Sequence, residues 1–163
     1  MLGDPPFTLG WDVAGTVEST GPGVSTFVPG DEVLGLLAFP GPGNAYADYM
    51  IASHDEIVHR PAALSVPEAG GLPLAGLTAW QALAGIADVG DPGLTPERAA
   101  ELGVRFAVVS VRPSAPDLSR LTALAEAGGL RVHVDQTLPL TDAAKAHELL
   151  SARRTTGKIV LIP

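Results

Sequence analysis

Residues 69–87 contain no charged side chain. A stretch of that length either crosses a membrane or is a helix buried inside a protein. Gly70, Gly71, Pro73, Gly76 and Gly85 interrupt it, and Thr78 and Gln81 add polar groups. Such breakers and hydrogen-bonding groups suit a core helix rather than a span. Leu74, Leu77 and Trp80 share one face at helical spacing. Upstream, Ser65-Val66-Pro67-Glu68 reads as a helix start, with Ser65 as N-cap and Glu68 in the first turn. Whatever surrounds this segment must wrap an apolar helix.

The chain before it reads as short strands and turns. Val13, Gly15 and Val17 alternate with Ala14, Thr16 and Glu18, the period of a half-buried strand. Turns are expected at Thr20–Gly23 and at Val28–Asp31, where a carboxylate at Asp31 commonly bonds its own backbone. Glu32–Leu37 is the next strand. After the loop Phe39–Asn44, residues Tyr46–Ile51 read as another, with Tyr46, Asp48 and Met50 on one face. Strands at this spacing suit a β-barrel or sandwich.

The chain after it alternates. Thr95-Pro96-Glu97 is a helix start, and Phe106–Val111 is an apolar run of buried-strand length. Asp117–Ala127 reads as an amphipathic helix facing Leu118, Leu121, Leu124 and Ala125 inward, ended by Gly128-Gly129. Arg131–Val134 is a short strand. Thr141-Asp142 opens a helix presenting Ala143, Ala146, His147 and Leu150, and Lys158–Ile162 is a closing strand. The fold class is mixed α/β.

Charge and composition narrow the partners. The net charge of −8 disfavours nucleic acid and anionic membranes. With no cysteine, disulfides, thiolate zinc sites and cysteine nucleophiles are excluded. Met1–Pro6 has no basic or apolar leader pattern, so a cytoplasmic protein is expected. Neither G-x-G-x-x-G nor a P-loop is present, and no G-x-S-x-G elbow exists. His54 and His59 fall on opposite faces of any continuous strand, and His133 and His147 have no ligand partner at metal spacing.

Gly10-Trp11-Asp12-Val13-Ala14-Gly15, Gly30-Asp31-Glu32-Val33 and the segment from Leu72 to Leu83 resemble the medium-chain dehydrogenase/reductase family. The zinc-independent, quinone-oxidoreductase-like branch is the most similar. Asn44–Met50, Arg131–Leu140, Asp142–His147 and Thr156-Gly157-Lys158-Ile159-Val160 extend the resemblance in the family's own order. It implies a partial GroES-like β-barrel over residues 1–83 and a truncated Rossmann-type remnant over 84–130. Residues 131–163 would return to the catalytic domain. In that family a glycine-rich phosphate turn follows the helix ending near Leu83. Here Ile86–Gly93 follows, which reads as an internal deletion joined around Ala84 to Asp88.

The resemblance implies an NAD(P)H-dependent oxidoreductase moving hydride to a quinone or enone. Thr78 would sit near the nicotinamide, and Gly157 and Lys158 near cofactor phosphate. Trp11 and Tyr46 would line the substrate cleft. Each has a plainer role. Thr78 can bond a carbonyl one turn back, Lys158 can be a charged strand entrance, and Trp11 and Tyr46 can be core. Trp11 stands in the region where zinc-dependent relatives carry a ligand, so no metal is expected. The catalytic residues stay unassigned. Without a phosphate turn, NADP is implied by family but not expected to bind this chain alone. The open alternatives are a noncatalytic binding or assembly module, or a cofactor-free cyclase or lyase using the same cleft. Self-association, as a homodimer or as an aggregate with Phe106–Val111 making the main contact, is expected because that run carries no charge or proline to protect an edge.

Overall fold

The computed structural model describes residues 7–85, 97, 101, 103 and 109–163. Its first sheet holds three antiparallel strands in the order β1 (Asp12–Thr16), β2 (Glu32–Leu36) and β3 (Ile57–His59). Asp12 pairs with Leu36 and Thr16 with Glu32, while Val33 pairs with His59. β2 lies between two apolar layers. Leu34 and Leu36 face one way, while Val33 and Leu37 face Phe27 and Ile57 on the other. The turn into β2 is held as its sequence suggests, because Asp31 Oδ2 accepts the Val28 N–H at 2.8 Å.

Two helices follow, α1 (Val66–Gly71) and α2 (Pro73–Gly85). Ser65 and Glu68 form a reciprocal capping box at the start of α1. The break falls at Leu72, since Pro73 has no N–H to donate back to Ala69. The uncharged stretch is therefore two short helices. Among the described residues, no helix is long and apolar enough to cross a membrane.

A third helix, α3 (Ala115–Glu126), is capped by Ser114 and released at Gly128, whose φ is +73°. It buries Leu118, Leu121, Thr122 and Ala125. Leu124 is 41% exposed, contrary to the expected inner face. At 100° per residue it lies well off the stripe made by the other four. Leu118 and Leu121 enter the same core as Leu34, Leu36, Leu64, Leu72 and Leu77. The 84–130 segment thus contributes side chains to the core of the first 83 residues.

The second sheet pairs β4 (Val134–Pro139) with β5 (Lys158–Ile162) in parallel, through α4 (Ala143–Ser151). The expected strand at Arg131–Val134 begins three residues later than read. Asp135, Gln136 and Thr137 are exposed and carry no apolar signal, yet the ladder to β5 runs through them, with a bulge between Val134 and Gln136. Tyr46–Ile51 is not a strand. Only Ala45 and Tyr46 find backbone partners, donating to Gly10 and Leu9, and Ile51 is 98% exposed. Alternation alone does not make a strand without a neighbour to pair with.

The helix start at Thr95, the junction beyond Gly85 and most of Phe106–Val111 lie outside the described residues.

Candidate functional site

The two sheets meet across α1. A Cβ built on Gly70 would lie 3.8 Å from Ala14 Cβ of β1 and 3.6 Å from Val160 Cγ1 of β5. At Gly71 it would lie 3.2 Å from Lys158 Cγ and from Val132 Cγ1. The glycine pair lets one helix seat both sheets. In front of it opens a cleft of about 1140 Å³, lined by β1, β5, α1 and the 45–50 segment.

Four of the five sequence-derived site residues line this cleft: Trp11, Tyr46, Gly157 and Lys158. Trp11 is fixed by its Nε1–H, which donates to the Gly41 carbonyl at 2.6 Å, and by an edge-on contact with Phe39. The Tyr46 ring presses on Gly10, where a Cβ would come within 2.6 Å of it. Its other neighbour is the His147 ring, 6.1 Å away. Burial pushes the Tyr46 hydroxyl above its ordinary pKa. Gly157 turns with φ +98°, and any Cβ there would strike the His133 carbonyl at 2.4 Å. Thr78 is not among the lining residues. Its hydroxyl donates to the Leu74 carbonyl, one turn back, at 2.6 Å.

The sequence reading missed Asp12. This carboxylate sits at the inner end of β1, where Oδ1 accepts the Leu74 N–H at 2.7 Å and Oδ2 lies 3.8 Å from Lys158 Nζ. It thereby satisfies one of the unpaired donors at the start of α2. Burial is the largest influence on it and outweighs the lysine and the amide, raising its pKa from 3.8 to about 6. A single acid opening an otherwise apolar strand was the only local signal. Its meaning depends on a partner 62 residues away.

A nicotinamide cofactor and a zinc ion can be tested against these groups. The Thr78 proton is committed to Leu74, and the Lys158 ammonium is directed at Asp12. Neither residue adds a backbone cradle for a pyrophosphate. Among the described residues, no three His, Asp or Glu side chains converge as a metal site would need. The described residues fit neither group.

Residues 1–62 match the alcohol dehydrogenase GroES-like domain, and residues 48–161 match a family described as zinc-binding dehydrogenase. The chain belongs to the medium-chain dehydrogenase/reductase family, in its quinone-oxidoreductase-like branch. It is 47% identical over 78 residues to the chloroplastic quinone-oxidoreductase QR1 of Triphysaria versicolor, covering 48% of this chain and 23% of that protein. It is 36% identical over 98 residues to the human mitochondrial NAD(P)H oxidoreductase RTN4IP1, covering 60% of this chain and 24% of the relative. Each match thus spans under a quarter of the relative's own length. Among solved structures, the quinone oxidoreductase of Coxiella burnetii superimposes with a TM-score of 0.85 at 22% identity, over 97% of this chain and 80% of that one. At that identity the likeness establishes the fold. Medium-chain dehydrogenase/reductases of this branch are NAD(P)(H)-dependent oxidoreductases.

Proposed function

We propose that this chain carries the substrate side of an NADPH-dependent, zinc-independent quinone or enone reductase. Acting alone, it has hydride transfer that is impaired or absent. The observation carrying this reading is the cleft itself, which gathers Trp11, Tyr46 and the Gly157-Lys158 pair from three separated stretches of chain. Its walls are largely apolar, with a few convergent polar groups, as small-molecule sites are. A flat quinone has aromatic surface available at Trp11 and Tyr46. The choice of NADP follows the family resemblance alone, since solved structures sharing the fold at 20% identity include both an NADPH complex and an NAD-dependent alcohol dehydrogenase. The reading includes a cytoplasmic setting, where reduced nicotinamide is supplied.

Titration of the purified chain with NADPH and with 1,4-naphthoquinone tests this directly. Saturable quenching of tryptophan by the quinone is expected, with no saturable NADPH binding in the micromolar range. Micromolar NADPH affinity overturns the impairment. Failure of the quinone to bind overturns the substrate reading.

The chain is also proposed to self-associate through the run ending at Val111. Val111 packs into the chain's own core, which leaves the half-buried Val109 as the described apolar side chain of this run available to a second copy. Light scattering should show a dimer that Val109→Lys dissociates, because an unpaired lysine in an apolar contact costs several kcal/mol.

A further inference from the structure

In a chain of net charge −8, Arg153-Arg154 is the one pair of adjacent cationic residues. It lies in the connection between α4 and β5. Both side chains are exposed, and neither has a carboxylate partner among the described residues. Two threonines follow. Thr155 is half-buried, whereas Thr156 is exposed, and among the described residues no hydrogen bond engages the Thr156 hydroxyl. Of all the serines and threonines in the chain, Thr156 alone has a cation at both the second and the third position before it. Ser114 and Thr122 also stand two residues after an arginine, but Ser114 caps α3 and Thr122 is buried.

The backbone around Thr156 is open to being read as an extended strip. Helix α4 ends at Ser151 and β5 starts at Lys158, and Arg154, Thr155 and Thr156 belong to neither. Arg153 stands at φ +51°. That left-handed conformation is disfavoured for a residue with a side chain, so little is lost when it straightens. The bond from the Lys158 N–H to the His133 carbonyl, which starts the β4–β5 ladder, lies two residues beyond Thr156 and outside the strip.

We propose that Thr156 is a phosphorylation site for a protein kinase that selects basic residues upstream of its target. Kinases choose substrates by charge pattern. Acidic groups of the enzyme would take the Arg153 and Arg154 guanidinium forks as charge-assisted pairs. The co-substrate is ATP with magnesium. Thr156 Oγ attacks the γ-phosphorus and its proton passes to the aspartate of the kinase. The bond from that phosphorus to the bridging oxygen breaks, and ADP leaves. The product carries a phosphate of charge about −1.5 to −2 with three acceptor oxygens. Arg153 and Arg154 then have an anion within their own loop, so the modification neutralises the chain's one dense cationic pair.

The full folded chain, incubated with magnesium ATP and the catalytic subunit of the cyclic-AMP-dependent kinase, should gain one phosphate by intact mass, mapped to Thr156 by peptide sequencing. Thr156→Ala should gain none, and Thr155→Ala should gain as much as the unaltered chain. Arg153→Ala together with Arg154→Ala should slow incorporation roughly tenfold or more. All these variants should keep the circular dichroism of the unaltered chain. A synthetic peptide spanning residues 150–160 serves as the reference for the kinase. Phosphorylation of the peptide but not of the folded chain overturns the proposal, because the fold then withholds the site. Phosphorylation of neither overturns it as well, as does incorporation that survives Thr156→Ala or a rate that the double arginine variant leaves unchanged. None of these readouts involves quinone or NADPH, so the reductase reading stands or falls separately.

Discussion

The Asp12 carboxylate bonds the Leu74 N–H at 2.7 Å and so ties the first strand to the start of the long apolar helix. The same carboxylate faces Lys158 of the last strand at 3.8 Å. One acid therefore joins the first strand, the central helix and the closing strand of the fold, and it does so in a largely desolvated position.

That position makes stability depend on pH in an unusual direction. Burial raises the Asp12 pKa from 3.8 to about 6, against the pull of Lys158. The folded state therefore holds this proton more tightly than the unfolded chain between those two values. The contribution is fully present below pH 3.8 and is lost as pH rises through about 6. It amounts to about 3 kcal/mol from the two-unit shift. Denaturant unfolding from pH 4.5 to 7.5 should show this fall. Asp12→Asn, which keeps an acceptor for Leu74 and has no proton to lose, should remove it. Identical pH slopes for the two proteins would refute the assignment.

Gly157 should tolerate no side chain. It sits at φ +98°, and an added Cβ would meet the His133 carbonyl at 2.4 Å, beside the bond that starts the β4–β5 ladder. Gly157→Ala is expected to lose about 3 kcal/mol from backbone strain and displaced pairing. Gly15→Ala is the control, since nothing lies within 4 Å of its Cβ position. It should change stability by about 0.5 kcal/mol or less. Comparable losses for both would show that the turn at Gly157 does not constrain the sheet.

What could be read in the sequence was what neighbouring residues decide among themselves. The Ser65 N-cap with Glu68 in the first turn, the Asp31 turn and the Gly128 helix stop each close a hydrogen bond within a few residues, and each stands as read. β2 was equally legible because both its faces are buried. Tyr46–Ile51 misled because alternation reports a pattern of side chains and says nothing of a partner edge. β4 was misplaced because parallel pairing with β5 holds Asp135, Gln136 and Thr137 without an apolar face. Of the site, Trp11 and Tyr46 were read as cleft wall through family motifs, and Gly157 and Lys158, read as lying near cofactor phosphate, line the same cleft. Asp12 was not, because its role is set by Leu74 and Lys158, both far away in sequence.

Leu118 should behave as a residue of the common core. It is fully buried with Leu34, Leu72 and Leu77, although α3 lies beyond the long segment following α2. Leu118→Ala is expected to cost about 2–5 kcal/mol, the range for emptying a packed site. Loss should occur in one transition, seen at the same denaturant concentration by far-UV circular dichroism and by tryptophan fluorescence. Two separated transitions, with only one shifted, would mean that α3 folds apart from the sheet it covers.

The α2–α3 contact is clamped by polar groups, and its pH response should oppose that of Asp12. Asp117 accepts from Trp80 Nε1 at 3.2 Å, from Gln81 at 3.3 Å and from Arg120 at 3.0 Å, while Gln81 also exchanges two bonds with the Arg112 backbone. Burial pushes the Asp117 carboxyl up, but hydrogen bonds from Ser114, Gln81 and Trp80 with the Arg120 charge outweigh it, leaving its pKa below 3.8. Its contribution is present above the unfolded value and is lost as pH falls through the folded one. Asp117→Ala also leaves the Trp80 N–H without its acceptor, so a loss of about 1–3 kcal/mol is expected at pH 7. Gln81→Ala should cost less alone. Paired with Asp117→Ala, it should be clearly non-additive because the two share partners. Additive losses, or an unchanged Trp80 near-UV signal in Asp117→Ala, would show that the clamp contributes nothing to holding α3 in place.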